Sequence, residues 1–345
     1  ASLSVVDIAE RAVSRTVAVR GEPAALGHNA QEGRLYVVSR AENTLSVLDG
    51  TSFEEMAALP VGSWPVGVFW NPVNNRAFVI NEGSNDLHVY HGRNHGLLGI
   101  VRVGVLPSAW WWDAAANNLW VVNNGSNDLT VINCSTLAVA ATVRVGSGPV
   151  ELAAGPNGQY LYVSNATAGT LSKVEVAGRR VTATIPVGYR PGAMVVDSAN
   201  ARLWVCAEGS NQVKVLCTAG DTVITDFDPG SLPVALAWNP AAKRIYVANF
   251  FGNSVTIIRE TTGLAGEPVA GPEPARFFTV VARVGSRLRL DRAGVRGPLS
   301  VHDPAGRLVA RFAGTEWRTA GTGAGSYFIT AGRPARPVAR VVLLD

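Results

Sequence analysis

A 42-residue period is the feature that most limits what this chain can fold into. Segments that begin at Leu35, Ala77, Leu119, Leu161, Leu203 and Ile245 read LYVVS, AFVIN, LWVVN, LYVSN, LWVCA and IYVAN, with no insertion or deletion between them. A strict period of this length is the signature of a stacked repeat architecture. Within each unit a second alternating stretch follows, as in Leu45–Asp49, Leu129–Asn133 and Val255–Arg259, which reads as a strand. Between the two lies a polar turn such as Asn81–Asp86 or Asn123–Asp128, rich in residues that tolerate positive φ, so the pair is a hairpin. A third stretch ends in Val-Gly (Val61-Gly62, Val103-Gly104, Val145-Gly146, Val187-Gly188). A fourth starts at a recurring proline: Pro23, Pro65, Pro107, Pro149, Pro191 and Pro233. The proline fixes φ where the chain enters the innermost strand and no ladder donor is needed. Four short strands per unit, none able to bury both faces alone, are expected to stack as blades around an axis.

These motifs resemble the YVTN β-propeller repeats, named for the strand that stands here as Leu161-Tyr-Val-Ser-Asn165 and Ile245-Tyr-Val-Ala-Asn249. The resemblance covers residues 1 to about 268. The motif Asn is Ser39 in one unit and Ala207 in another, and the Asp that ends the following strand survives only as Asp7 and Asp49. Positions that vary so freely within one chain read as turn caps. Leu3–Asp7 and Thr16–Val19 match only the outer half of a unit, so the expected fold is all-β, a seven-bladed propeller of four-stranded blades with an incomplete first blade; a six-bladed ring with accessory strands is the alternative. The chain begins at Ala1 without a leader-like stretch, which suggests a processed chain or a fragment.

Beyond Glu267–Pro274, rich in Pro and Gly, the period stops and shorter strand signals begin. The expected organisation is a propeller over 1–268, a linker over 269–276 and a small immunoglobulin-like β-sandwich over 277–345. The run Leu299–Ala310, then Gly325-Ser-Tyr-Phe-Ile329 and the aliphatic final strand resemble the C-terminal sorting domains of bacterial type IX secretion. That resemblance implies a secreted or cell-surface protein.

Charge follows the same division. From Ala275 to Asp345 there are 12 Arg, no Lys and 4 acidic residues, against 18 basic and 22 acidic residues before them. The arginines stand singly on strand-like segments without an aromatic stacking pattern, so no nucleic-acid partner is expected. The most apolar stretch, around 103–122, is broken by Pro107, Asp113, Asn117 and Asn118, and no membrane span is expected.

Little in the sequence points to chemistry. Cys134, Cys206 and Cys217 lack metal spacing, and the register of the hairpin places Cys206 opposite Val213 and Cys217 opposite Arg202, so they should not bridge. His88, His91 and His95 invite a zinc reading, but His88 and His91 point to opposite faces of a strand, and Ser46, Thr130 and Thr256 occupy the His88 position elsewhere, which reads as an ordinary outward polar site. No metal, cofactor or catalytic set is expected. The informative variation is in the loops that lead into the inner strands and in the hairpins, which a propeller gathers at one mouth of its channel. There Trp64, Tyr189, Arg190, Phe250, Phe251 and Glu22 combine aromatics with charge, which suits a sugar ring or a peptide. Glu151 is the one carboxylate at a repeat position held otherwise by Ala25, Gly67, Ala109, Ala193 and Ala235. The expected function is a monomeric, non-catalytic propeller that binds a protein or glycan at its mouth. The alternative is a propeller enzyme, a lyase or lactone hydrolase by resemblance, with a metal or an acid/base at the channel.

Overall fold

The computed structural model describes residues 1–259 and seven further strands between Phe278 and Leu344. It divides into two compact units, Ala1–Leu236 with Asn249–Gly252, and Ala237–Ala248 with Asn253–Asp345. The expected linker 269–276 and the turn Asp303–Arg307 lie outside the described residues.

Each of the five repeats between Pro23 and Phe227 forms one antiparallel four-stranded sheet in sequence order. The second blade is β3 (Pro23–Asn29), β4 (Arg34–Ser39), β5 (Thr44–Asp49) and β6 (Glu55–Pro60). The third is β7 (Pro65–Asn71), β8 (Arg76–Asn81), β9 (Asp86–His91) and β10 (Leu97–Arg102); the fourth is β11 (Pro107–Asp113), β12 (Asn118–Asn123), β13 (Asp128–Asn133) and β14 (Val139–Arg144). The fifth comprises β15 (Pro149–Ala154), β16 (Tyr160–Asn165), β17 (Thr170–Glu175) and β18 (Arg180–Pro186), and the sixth β19 (Pro191–Asp197), β20 (Arg202–Ala207), β21 (Gln212–Cys217) and β22 (Thr222–Phe227). The first sheet has two strands, β1 (Ser2–Asp7) and β2 (Ala12–Ala18), and the seventh has three, β23 (Pro233–Asn239), β24 (Arg244–Asn249) and β25 (Ser254–Arg259). The only helical pieces among the described residues are two 3-10 turns, Ser198–Asn200 and Glu208–Ser210.

The recurring proline opens every inner strand, and the ladder register shifts immediately after it, as between Pro65 and Gly67 or Pro107 and Ala109. A residue without an N–H is best placed at such an irregularity. Inner strands of successive blades run side by side, β3 by β7, β11 by β15 and β15 by β19. The core therefore lies between blades: Tyr36, Val38, Leu45 and Val47 of the second blade meet Val68, Ala77, Val79 and Tyr90 of the third. Phe78, Ile80, Leu87 and Val89 of the third meet Leu119, Val121 and Ile132 of the fourth. With both faces covered, β12 is buried at every position, whereas the outer strands β6 and β10 are mostly exposed.

This double covering corrects one expectation. The His88 position does not face outward: Ser46, Thr130 and Ser172 are 1%, 3% and 1% exposed. Thr130 and Ser172 take hydrogen bonds from the buried motif amides Asn123 Nδ2 (2.9 Å) and Asn165 Nδ2 (3.0 Å). His88 occupies the slot with its Nε2 3.7 Å from Asp86. The hairpin register is as expected, with Cys206 opposite Val213 and Cys217 opposite Arg202, and all three cysteines are free. Asp7 and Asp49 cap turns, each accepting two backbone amides through Oδ1.

The C-terminal strands form a five-stranded sheet ordered β26 (Phe278–Arg283), β32 (Arg336–Leu344), β31 (Gly325–Ala331), β28 (Leu299–His302) and β29 (Leu308–Phe312), with β27 (Arg287–Arg289) and β30 (Glu316–Arg318) as a separate pair. The β26–β32 pair is parallel, a pairing that the run of short strand signals does not disclose.

Candidate functional site

The loops that lead into the inner strands share an unusual backbone. Glu22, Trp64, Leu106, Arg190 and Leu232, each directly before a proline, are left-handed with φ of 50°, 50°, 53°, 51° and 52°, and Gly148 holds the same place at 64°. Residues with a Cβ reach this region only when neighbours over-determine it. Here they do. The Trp64 amide donates to Asn43 Oδ1 (2.9 Å), and Leu106 and Leu232 donate likewise to Asn85 (2.7 Å) and Asn211 (2.8 Å), in each case to the hairpin of the preceding blade. Their carbonyls accept from the hairpin of their own blade: Arg40 to Glu22, Glu82 to Trp64, Glu208 to Arg190 and Phe250 to Leu232. The two sets of loops thus meet at one end of the strands, and the strained residues turn their side chains outward.

At that end Trp64 is 60% exposed, Tyr189 65%, Phe250 63% and Phe251 69%. Trp64 and Tyr189 each anchor a group, and the two phenylalanines pair with each other. In the first, the Arg40 guanidinium lies 5.7 Å from the Trp64 ring centroid and pairs with Glu82, beside exposed Glu22. In the second, the Tyr189 ring lies so close over Gly209 that a Cβ there would stand 2.1 Å from a ring carbon. Burial pushes the neighbouring Glu208 carboxyl upward, a shift that Arg190 opposes. Phe250 and Phe251 form a tilted pair with centroids 5.4 Å apart. The lead-in loops of the fourth and fifth blades, between the Trp64 and Tyr189 blades in chain order, carry Leu106 and Gly148 instead of aromatics.

Glu151 belongs to neither group. It lies on β15, where burial raises its carboxyl pKa, and Oε1 accepts the Leu152 amide at 3.0 Å. No cation pairs with it among the described residues. Also among the described residues, no three His, Cys, Asp or Glu side chains are grouped to hold a metal ion, and no helix is long and apolar enough to cross a membrane.

No family model and no curated protein sequence matches the chain. Solved structures do. A chain of Kuenenia stuttgartiensis hydrazine synthase superposes with a TM-score of 0.61 at 22% identity, over 75% of this chain and 89% of that one. The β-propeller domain of Myceliophteria thermophila Cps50 (Swd1) gives 0.60 at 10% identity over 75% and 91%. A functionally unknown protein from Desulfotomaculum acetoxidans gives 0.58 at 11% over 72% and 85%. At these identities the likeness speaks for the fold alone. Taken with the one-repeat, one-sheet topology, it defines an all-β protein built around a β-propeller.

Proposed function

We propose that the chain is a YVTN-type propeller, secreted or held at the cell surface through its C-terminal domain, that binds a protein or glycan non-catalytically with the end of the blades that carries Trp64 and Tyr189. The observation that carries this reading is the exposure of large aromatic rings on loops whose backbone is fixed by cross-blade hydrogen bonds. A rigid aromatic platform loses little conformational freedom on binding, and Arg40, Glu82, Arg190 and Glu208 supply planar charged contacts beside the rings. Domain limits at 268 and 277 and export through a sorting domain belong to the same proposal. They are supported by the repeat's end and by the C-terminal motifs.

A stacked aromatic contributes about 0.5–1.5 kcal/mol beyond its buried area. Trp64→Ala with Tyr189→Ala is therefore expected to weaken binding roughly 5- to 150-fold, with thermal unfolding unchanged because both rings are exposed. Glycan arrays and surface-protein pull-downs with wild type and the double variant measure this. Gln31→Ala with Val73→Ser, on exposed turns at the other end of the strands, serves as control. Equal loss in both variants contradicts the assignment.

A further inference from the structure

The repeat shows which group belongs at one place between blades, and at one junction that group is missing. In the second blade Arg34 crosses to the third, where its Nη1 donates to Gly92 O (2.9 Å) and Arg93 O (2.8 Å). In the third blade Arg76 crosses to the fourth in the same way, to Cys134 O (2.7 Å) and Ser135 O (2.8 Å). The equivalent residue of the fourth blade is Asn118, whose side chain is too short for that span. The carbonyls it would have to reach are those of Val176 and Ala177 in the fifth blade, and no side chain among the described residues donates to them. One junction further on, Tyr160 replaces the arginine and a different cation fills the space: Lys173 Nζ lies 4.3 Å from the Tyr160 ring centroid and 2.8 Å from Asp221.

Where Asn118 leaves room there is a cavity of about 630 Å³, lined by Asp113, Asn118, Trp120, Glu175, Val176 and Ala177 among others. That volume falls within the range of small-ligand sites. Trp120 is 1% exposed, and its indole N–H is buried without a partner. Asp113 Oδ1 is taken by the turn amides of Ala115 (3.1 Å) and Ala116 (3.3 Å), which leaves its second carboxylate oxygen as an acceptor. Arg179 in the lining donates to Ala140 O at 3.0 Å, and the lining carboxylate Glu175 is paired with Arg180 at 2.9 Å.

We propose that this cavity binds a guanidinium group supplied from outside the chain. Two backbone carbonyls that take a guanidinium in the neighbouring junctions stand open here, with a carboxylate beside them. In each neighbouring junction one terminal nitrogen serves both carbonyls, which leaves the rest of the planar fork of N–H donors to reach the carboxylate, whereas an ammonium has one donor atom for all three acceptors. The unpartnered Trp120 N–H calls for an acceptor on the same ligand, which an arginine within a peptide has in its backbone carbonyls. The site lies at the end of the strands opposite Trp64 and Tyr189, so it stands or falls apart from the proposed binding face.

The test titrates the whole chain with agmatine, with the peptide Gly-Arg-Gly and with butylammonium, following the Trp120 indole N–H resonance assigned through Trp120→Phe. Agmatine or the peptide should give a saturable shift, and butylammonium should bind at least fivefold more weakly. Tighter binding of the peptide identifies the source as an arginine side chain of a partner; tighter binding of agmatine identifies a free guanidino compound. Asn118→Arg, which supplies the group internally, should weaken agmatine binding at least tenfold. Arg76→Asn should create a second agmatine site, raising the calorimetric stoichiometry from one to two, and it keeps the test open should Asn118→Arg not fold. Absence of a saturable shift, equal binding of butylammonium, undiminished binding to Asn118→Arg, or one site in Arg76→Asn would overturn the proposal.

Discussion

Asp221→Ala is expected to destabilise the propeller by about 3 kcal/mol, because it strands a charge that the fold has enclosed. Lys173 stands where the other blades place Val47, Val89, Val131 and Val215. Its side chain is 11% exposed, and Nζ makes bonds of 2.9 and 2.8 Å to the two oxygens of Asp221. Tyr162 OH donates to the same carboxylate at 3.2 Å, and burial, together with that carboxylate, pushes the Tyr162 pKa upward. Removing the acid leaves an ammonium and a phenol facing a low-dielectric junction. The double variant Lys173→Val with Asp221→Leu should recover most of the loss. It recreates the Val89 and Leu137 contact of the third and fourth blades, where the same space is packed with hydrocarbon. Urea unfolding of the three proteins measures this. A double variant no more stable than Asp221→Ala contradicts it.

The second large effect is expected at the Val-Gly step. Gly104→Val should cost about 2–4 kcal/mol through overpacking and a broken buried hydrogen bond. A Cβ at Gly104 would lie 2.3 Å from Ser126 Oγ and 2.6 Å from the Asn123 amide. Asn123 is fully buried and ties the hairpin together through Asp128 Oδ1 (2.8 Å) and Thr130 Oγ1 (2.9 Å), so it has nowhere to move. Gly158→Ala is the comparison. Its φ is +65° but no atom lies within 4 Å of the added carbon, so only the backbone penalty of about 1 kcal/mol remains. Thermal unfolding of both variants should separate them by several degrees; equal midpoints would show that the glycine is not required by the neighbouring amide.

Much of the fold was legible because the 42-residue register carries both strand pairing and its limits. The same spacing that aligns LYVVS with LWVVN also places Cys206 across from Val213 and keeps the cysteines apart. The polar residues at the His88 repeat position misled, since Ser and Thr mark an outward site only when that face of the sheet meets water. In these blades both faces meet other blades, and Ser46 and Thr130 are buried polar anchors. The left-handed lead-in loops were not legible, because Glu22, Trp64, Leu106, Arg190 and Leu232 share no side-chain chemistry. What holds Trp64, Leu106 and Leu232 is the asparagine of the preceding hairpin, 21 residues earlier. The cavity beside Trp120 had a signal in the repeat, the exchange of arginine for Asn118, whose meaning depends on seeing where Arg34 and Arg76 reach.

The most direct measurement is hydrogen exchange of the full chain with and without the strongest glycan or protein obtained from the arrays and pull-downs. Protection should fall on the lead-in loops around Trp64, Tyr189 and Arg190 and on the hairpins around Glu82 and Phe250, where the exposed rings stand on a fixed backbone. The turns Ala30–Gly33 and Pro72–Asn75 should exchange as they do in the free protein. Protection of those turns, with the aromatic loops unchanged, would contradict a binding face at the Trp64 and Tyr189 end of the blades.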